Sequence, residues 1–429
     1  MLRIIAIILT GIITSFYFFP FEFSFLPGAN TKMIMAGVGL VVLGMNLAQK
    51  RMATIGRDFI TLSVIAGLVS IAGLIAVSYN ETNDYTYATY IVSMWVWLGG
   101  AYMAVSCMRW VHEKVTVKLV AHYLIGVCVA QCVIAFTMDQ YVPLKQFVDS
   151  FVVGTGFMGK VEGRLYGIGA ALDVAGMKFA TILIIISYLC VAQKHKIGLT
   201  MMWCYIIALL IIVIIGNMIG RTTTVGATIA ILLALYFTIN NRGNESIKLF
   251  WKCLGIGLLI FIPLFVYLYN TNMVIHNNLQ FAFEGFFSLW DKGEWKTTSN
   301  DKLMTMYVWP DNIKTWLIGD GYINNPNDSD PYFIGEIIKG YYKGTDVGYC
   351  RFIFYFGVVG LGLFMAYFMK ATQICMRRFK EYRVLFLMFL AVNFIVWLKV
   401  ATDIFFVFAL FLCLDEEETQ EDTMCKIAN

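Results

Sequence analysis

Apolar stretches close to 20 residues long recur from one end of this 429-residue chain to the other, and nothing else in it constrains the fold as strongly. About 20 apolar residues in a helix cross the roughly 30 Å of bilayer hydrocarbon. In hydrocarbon only helices or closed barrels satisfy their own backbone hydrogen bonds. Composition agrees, with 59% of residues hydrophobic and 14% charged, where a soluble domain carries about 25% charged. The chain reads as an all-α polytopic membrane protein. Spans are expected near 3–20, 31–48, 58–78, 87–107, 117–137, 174–193, 199–219, 221–240, 249–270, 350–369, 384–398 and 400–414. The last two come from one run that exceeds a single crossing and is split at Lys399. The first stretch, "IIAIILTGIITSFYFFPFEF", has no small-residue cleavage site and more spans follow it, so a retained helix is expected.

Twelve spans put both termini on one side, and the basic residues say which. The loops at 49–57 (Lys50, Arg51, Arg57), 108–118 (Arg109, Lys114, Lys118), 194–198 (Lys194, Lys196), 241–252 (Arg242, Lys248, Lys252) and 370–383 (Lys370, Arg377, Arg378, Lys380, Arg383) alternate along the chain. The positive-inside rule makes them cytoplasmic. The acidic tail at 415–429, beginning "DEEETQED", falls on the same side. Residues 1–270 then hold nine spans, 350–414 hold three, and two outer segments stand apart. One, 138–173, is glycine-rich; the other, 271–349, is long, polar and aromatic and is expected to fold into short helices. Most of the ten cysteines lie within apolar runs and none forms CxxC, so they read as small core residues. Four histidines without HExxH spacing give no zinc signature. No metal or other cofactor is expected.

Three outer cations run against the topology bias: Arg164, Arg221 and Arg351. Arg221 opens a span in "GNMIGRTTTVGATIAILLALY", where a cation opposes the helix dipole by roughly 0.3–1 kcal/mol. An anion would reverse the objection, because helix amides, the hydroxyls of Thr222, Thr223 and Thr224, and a guanidinium suit phosphate. Arg351 repeats the pattern beside Asp346, and Arg164 sits among glycines in "EGRLYG". Each has a plainer reading. Arg221 would snorkel to headgroups, Arg351 would pair with Asp346, Asp346 would cap its helix, and Arg164 would pair with Glu162. Together the four suit a diphosphate leaving group held by arginines, with Asp346 as general base. "NDSDP" holds a D-x-D (Asp328, Asp330) but is strong turn chemistry. Loop aromatics, Tyr322 among them, and Tyr349 suit stacking on sugar rings, and interfacial anchoring explains many aromatics equally well.

Residues 160–370 carry a resemblance. "GRLYGIGAALDVAG" resembles the R-x-x-G segment of the O-antigen ligase/polymerase superfamily. "GRTTTVGATIAILLALY" resembles that superfamily's arginine-opened helix. "WLIGDGYINN" followed by "TDVGYCRFIFYFGVVGLGLF" is similar to its G-x-G element and polar helix entry. Asp346-Val347 replaces the His-Asn typical of lipid A–core ligases, and Leu172-Asp173 replaces Pro-Asn. Both departures favour a Wzy-type polymerase of O-antigen or capsule repeat units. The resemblance implies a GT-C-like fold of about 12 transmembrane helices with one large extracytoplasmic loop, in a bacterial cytoplasmic (inner) membrane. It implies metal-independent, inverting glycosyl transfer from undecaprenyl-diphosphate-linked glycan on the periplasmic face. The lipid bilayer is the surrounding medium, a chain-length regulator and a flippase are the implied partner proteins, and nucleic acid has no part. Arg164, Arg221 and Asp346 would be catalytic. Arg351, Asp173, Thr222, Tyr349 and Tyr322 would bind substrate. A ligase using a lipid A–core or protein acceptor is the near alternative, and a lipid-linked-oligosaccharide flippase is the alternative from another class.

Overall fold

Every long apolar run contains helix. The structure, a computed structural model, describes residues 2–49, 53–153, 164–192, 196–241, 243–326 and 340–415. In chain order the helices are α1 (Leu2–Phe18), α2 (Thr31–Ala48), α3 (Ala53–Tyr79), α4 (Tyr90–Val111), α5 (Val117–Gln140), α6 (Val142–Phe151), α7 (Leu172–Val191), α8 (Leu199–Ile219), α9 (Thr223–Asn240) and α10 (Glu245–Thr271). Four short helices follow: α11 (Met273–Ala282), α12 (Glu284–Lys292), α13 (Thr298–Thr305) and α14 (Ile313–Leu317). The chain ends with α15 (Gly348–Arg378), α16 (Arg383–Val396) and α17 (Phe405–Leu412). Among the described residues no β-strand forms, only isolated bridges. Eight helices among those residues are long and apolar enough to cross a membrane: α3, α4, α5, α7, α8, α9, α10 and α15. This is an all-helical, multi-pass membrane protein. Helix α10 shows its apolar surface outward, with Leu259 76% and Ile260 60% exposed, as a helix facing lipid would.

The central helix is α7, buried from Ala175 to Val191. It packs against α8 and α9, and small residues let α9 come close. A Cβ on Gly226 would lie 2.1 Å from the Ala180 Cα, and one on Gly176 would lie 2.9 Å from the Gly220 carbonyl oxygen. Small-residue seams are how membrane helices pack without a hydrophobic driving force between them. This seam fixes Asp173, on the first turn of α7, beside Thr222, the residue preceding α9.

The 400–414 run is helical only over Phe405–Leu412, so its expected helix is shorter than the sequence suggests. Five non-helical residues lead into it. At up to about 3.3 Å per extended residue and 1.5 Å per helical residue, residues 400–412 reach up to roughly 28 Å, close to a bilayer thickness. Irregular backbone at that depth is tolerated only when protein satisfies it. Trp397 Nε1 donates to the Thr402 carbonyl at 2.6 Å, and Ile404 N donates to Asn393 Oδ1 at 3.1 Å.

Helix α15 has charged groups at both ends. Near its start are Asp346 and Arg351; at its end Arg377 and Arg378 clamp Asp58 of α3. Arg378 Nη1 also donates to the Leu412 carbonyl at 2.8 Å, and Arg109 Nη2 donates to the Cys413 carbonyl at 2.7 Å. Twenty-seven helical steps separate Arg351 from Arg378, roughly 40 Å at 1.5 Å each. The basic cluster and the Asp346 region therefore lie at opposite ends of the bundle.

Helix α15 is also broken. Phe356 (φ −134°) and Gly357 (φ +69°, ψ −176°) leave helical geometry. The break frees the carbonyls of Phe354 and Tyr355, and the loop after α14 takes them. Asp320 N donates to the Phe354 oxygen at 2.5 Å and Gly321 N to the Tyr355 oxygen at 3.1 Å. Asp320 then fastens the loop, accepting from Lys314 Nζ at 2.7 Å, Thr315 Oγ1 at 2.6 Å and Tyr342 OH at 3.2 Å. Gly319 (φ +86°) has no room for a side chain, since its Cβ would lie 2.3 Å from the Tyr355 oxygen. Gly319→Ala should therefore lower the unfolding midpoint of the detergent-solubilised protein, by a strain of about 1–3 kcal/mol. Gly255→Ala, where nothing lies within 4 Å, should leave the midpoint unchanged or raise it. Thermal unfolding followed by circular dichroism reads both.

Candidate functional site

Six chain segments bring charged groups to one cavity, Lys302 of α13 among them. The loop before α7 supplies Arg164, and α7 supplies Asp173. The turn before α9 supplies Arg221, and the approach to α15 supplies Asp346. The turn after α16 supplies Lys399. The cavity holds about 290 Å³, and Ser299, Lys302, Leu303 and Met306 of α13 form one wall while Tyr341 forms another. Among the described lining residues four are cations and two are carboxylates, an excess of two positive charges.

The two arginines converge on one ring. The Arg164 guanidinium lies 4.6 Å, and that of Arg221 4.1 Å, from the centre of Phe281 in α11. Arg221 forms an ion pair with Glu284 of α12 and reaches Ser299 Oγ at 3.3 Å. Its Nε is buried without a hydrogen-bond partner. Burial raises the Glu284 carboxyl, but the hydroxyl and amide of Thr298, together with Arg221, more than offset it and hold the group below its usual range. Arg221 therefore does not snorkel to headgroups; it meets the α11–α13 region. Burial lowers the Arg164 guanidinium, with Asp173 opposing that shift and Arg221 adding to it.

The opposite side is built on Asp173. It accepts from Thr222 Oγ1 at 2.6 Å and from Lys399 Nζ at 2.9 Å. Leu172, just before it, has φ +56°, a left-handed conformation that costs a branched residue roughly 1–2 kcal/mol. Strain of this kind collects at sites where a neighbouring side chain must be aimed. The threonines after Arg221 are committed to protein partners. Thr223 Oγ1 donates to the Gly216 and Gly220 carbonyls at 3.0 and 2.7 Å, and Thr224 Oγ1 donates to Asn217 Oδ1 at 2.6 Å. The expected cluster of three phosphate-facing hydroxyls is thus not formed, because Thr222 bonds to Asp173 of α7 while Thr223 and Thr224 bond to the end of α8 and the residue after it. Thr222 acts behind Asp173, not in the cavity lining.

Asp346 is not a helix cap, since no side chain caps α15; Thr345 Oγ1 instead accepts from Val347 N at 3.2 Å. Burial pushes the Asp346 carboxyl up to about 6, with Asp173 adding to the rise and Arg351 and Lys399 opposing it. Arg351 Nη1 is 3.7 Å from Asp346 Oδ1, a loose pair. Its closer contacts are Asn324 Oδ1 at 3.1 Å and the Ile323 carbonyl at 3.2 Å, and its guanidinium lies over the face of Tyr341 at 4.1 Å. Arg351 therefore sits in the wall beside the cavity.

Two expected residues lie elsewhere. Tyr349 turns to α16, donating to the Phe394 carbonyl at 3.0 Å with its ring against Trp397. Tyr322 stacks on Tyr342 and lines a separate cleft. Asp328, Ser329, Asp330 and Glu162 lie outside the described residues. Tyr341 was one of the loop aromatics expected to stack on sugar; Lys399, Ser299, Lys302, Glu284 and Phe281 were not legible as site residues. Lys399 carried a signal, a lone charge inside a long apolar run. The others sit in a polar loop whose fold has no periodicity to read. No family profile, curated protein or solved structure matches the chain.

The charge excess, the orphaned Arg221 Nε and the small volume together suit a phosphate-bearing group. Inorganic pyrophosphate should raise the unfolding midpoint of the purified protein at low salt. Arg164→Ala and Arg221→Ala should each weaken its half-saturation concentration about tenfold or more, the worth of a charge-assisted hydrogen bond.

Proposed function

We propose that the protein polymerises oligosaccharide repeat units carried on undecaprenyl diphosphate, by inverting, metal-independent glycosyl transfer at the outer face of a bacterial cytoplasmic membrane. The chief support is the cavity in which Arg164, Arg221 and Lys399 leave positive charge in excess beside a carboxyl, Asp346, poised near 6. A diphosphate joining a lipid to a sugar carries one negative charge on each phosphoryl group, opposite in sign to the net charge of the cavity lining. Twelve crossings in a GT-C-like arrangement are proposed with it. The basic loops at the far end of α15 are cytoplasmic on the positive-inside rule, so the cavity faces out and both termini face in.

The step follows from these groups. The acceptor hydroxyl oxygen attacks the anomeric carbon of the donor sugar while the bond from that carbon to the diphosphate oxygen breaks. The hydroxyl proton passes to the Asp346 carboxylate. The electron pair of the broken bond stays on the diphosphate, and Arg164, Arg221 and Lys399 stabilise the charge that grows there. One displacement inverts the anomeric centre. Helices α12 and α13 cover the diphosphate side and keep water from taking the place of the acceptor.

In cells, Arg164→Ala, Arg221→Ala and Asp346→Asn should each leave lipid-linked single repeats and reduce long polymer at least 100-fold; normal ladders from all three would refute the reading. Asp346 must be ionised to accept a proton, so activity should be full above pH about 6. Below it the rate should fall tenfold per pH unit, an inflection measurable in initial rates and absent from the residual activity of Asp346→Asn.

A further inference from the structure

A second, polar cleft of about 580 Å³ opens beside the cavity, between the α3–α4 connection and the loop that follows the α15 docking point. Its walls carry Asn83, Tyr85 and Thr86 on one side and Tyr322, Asn324 and Asn325 on the other. Asp84 is the one charged side chain among the described lining residues, and its oxygens are committed to the protein. Oδ1 accepts from Thr86 N at 3.2 Å and Thr86 Oγ1 at 2.6 Å, and Oδ2 accepts from Ile323 N at 2.8 Å. What faces the cleft is therefore amide, hydroxyl and phenol, with the Tyr85 ring 52% exposed. Such a surface gives an ion no counter-charge. It offers paired donors and acceptors to hydroxyls and an aromatic face to an apolar ring surface, which is the chemistry of an uncharged sugar.

The cleft is also pre-formed. Tyr355 OH donates to the Asp84 carbonyl at 2.6 Å and Thr82 Oγ1 to the Gly321 carbonyl at 3.1 Å. Asn80 Nδ2 donates to the Gly319 carbonyl at 3.1 Å. These bonds tie both walls to the broken segment of α15, so little ordering is required on binding. One side chain touches a lining residue of both cleft and cavity. Arg351 donates to Asn324 in the cleft wall while its other terminal nitrogen lies 3.7 Å from Asp346. Its Nε is buried without a partner at that junction. A sugar chain lying in the cleft and passing Arg351 would bring its end to the carboxylate that takes the proton.

We infer that this cleft is the subsite for the acceptor glycan, binding uncharged sugar residues so that the accepting hydroxyl reaches Asp346 past Arg351. The inference rests on the glycosyl-transfer reading above and assigns its second substrate a place distinct from the diphosphate cavity.

The probe is the lipid-free repeat oligosaccharide, released by mild acid from the lipid-linked pool of the producing cells. Saturation-transfer NMR with the full-length protein in nanodiscs should show it bound to wild type. Binding should weaken at least tenfold in the Tyr85→Ala/Asn325→Ala double variant, provided its unfolding midpoint matches wild type, and Tyr85→Phe should restore most of the loss in the Asn325 background. Binding should persist in Arg221→Ala. In transfer assays the double variant should raise the KM for this oligosaccharide as acceptor about tenfold and leave the KM for the lipid-linked donor unchanged. Equal binding by wild type and double variant would overturn the inference, as would binding lost in Arg221→Ala and kept in the double variant. Cleft-dependent binding without transfer from any lipid-linked donor would uphold the carbohydrate subsite and reject the polymerase reading, so the two fail separately.

Discussion

Cationic charge held at the end of a helical bundle, in excess of the carboxylates among the described cavity residues, is the constraint around which this molecule is arranged. Arg164 and Arg221 share the face area of a single ring, Phe281, and among the described residues only Glu284 pairs directly with either. Lys399 is matched by Asp173, leaving Lys302 and Arg164 without a close carboxylate among the cavity residues. Guanidinium groups tolerate such crowding better than ammonium groups because their charge is delocalised and weakly hydrated. An apolar ring beneath them removes water and strengthens their attraction for any anion that enters.

Two packing devices make that arrangement rigid. The seam of Gly176, Ala180, Gly220 and Gly226 presses α7 against α9, and Thr222 then orients Asp173. The break at Gly357 lets the 317–321 loop dock into α15, which fixes the approach to Asp346 and Arg351. Neither device depends on a long-range charge, so the site is set by backbone fit and then charged. The chain running on from that loop forms one wall of the polar cleft, and Arg351 reaches Asn324 of the cleft and Asp346 of the cavity.

Much of the scaffold was legible because membrane helices announce themselves by length and hydropathy. Each expected span has a helix within it, and the basic loops mark one end of the bundle. Within the site, Arg164 and Arg221 were legible as cations the topology bias did not explain, Asp346 as the acid beside Arg351, and Asp173 only through the family resemblance. Tyr349 was not placed correctly, because alternating faces of a helix cannot be assigned before its neighbours are known. Thr222, Thr223 and Thr224 looked like donors for a ligand, yet a helix entry packed against glycines uses its hydroxyls to satisfy exposed carbonyls. Lys399 was read as a boundary between spans. Its pairing with Asp173 links residues 226 positions apart in sequence, and no local pattern encodes such a contact. The run over 400–414 was expected as helix because its composition is mostly apolar; the side chains that satisfy an irregular backbone there come from Asn393 in α16 and Trp397 just after it.

The account stands on a diphosphate leaving from the Arg164–Arg221 cavity as each linkage forms. Its most direct test is stoichiometry: purified protein in a defined bilayer, given lipid-linked single repeats as sole substrate, with new glycosidic bonds and liberated polyprenyl diphosphate counted together. One diphosphate released for each bond formed is the expected result. Polymer without that release, or release without polymer in the absence of any other acceptor, would contradict it.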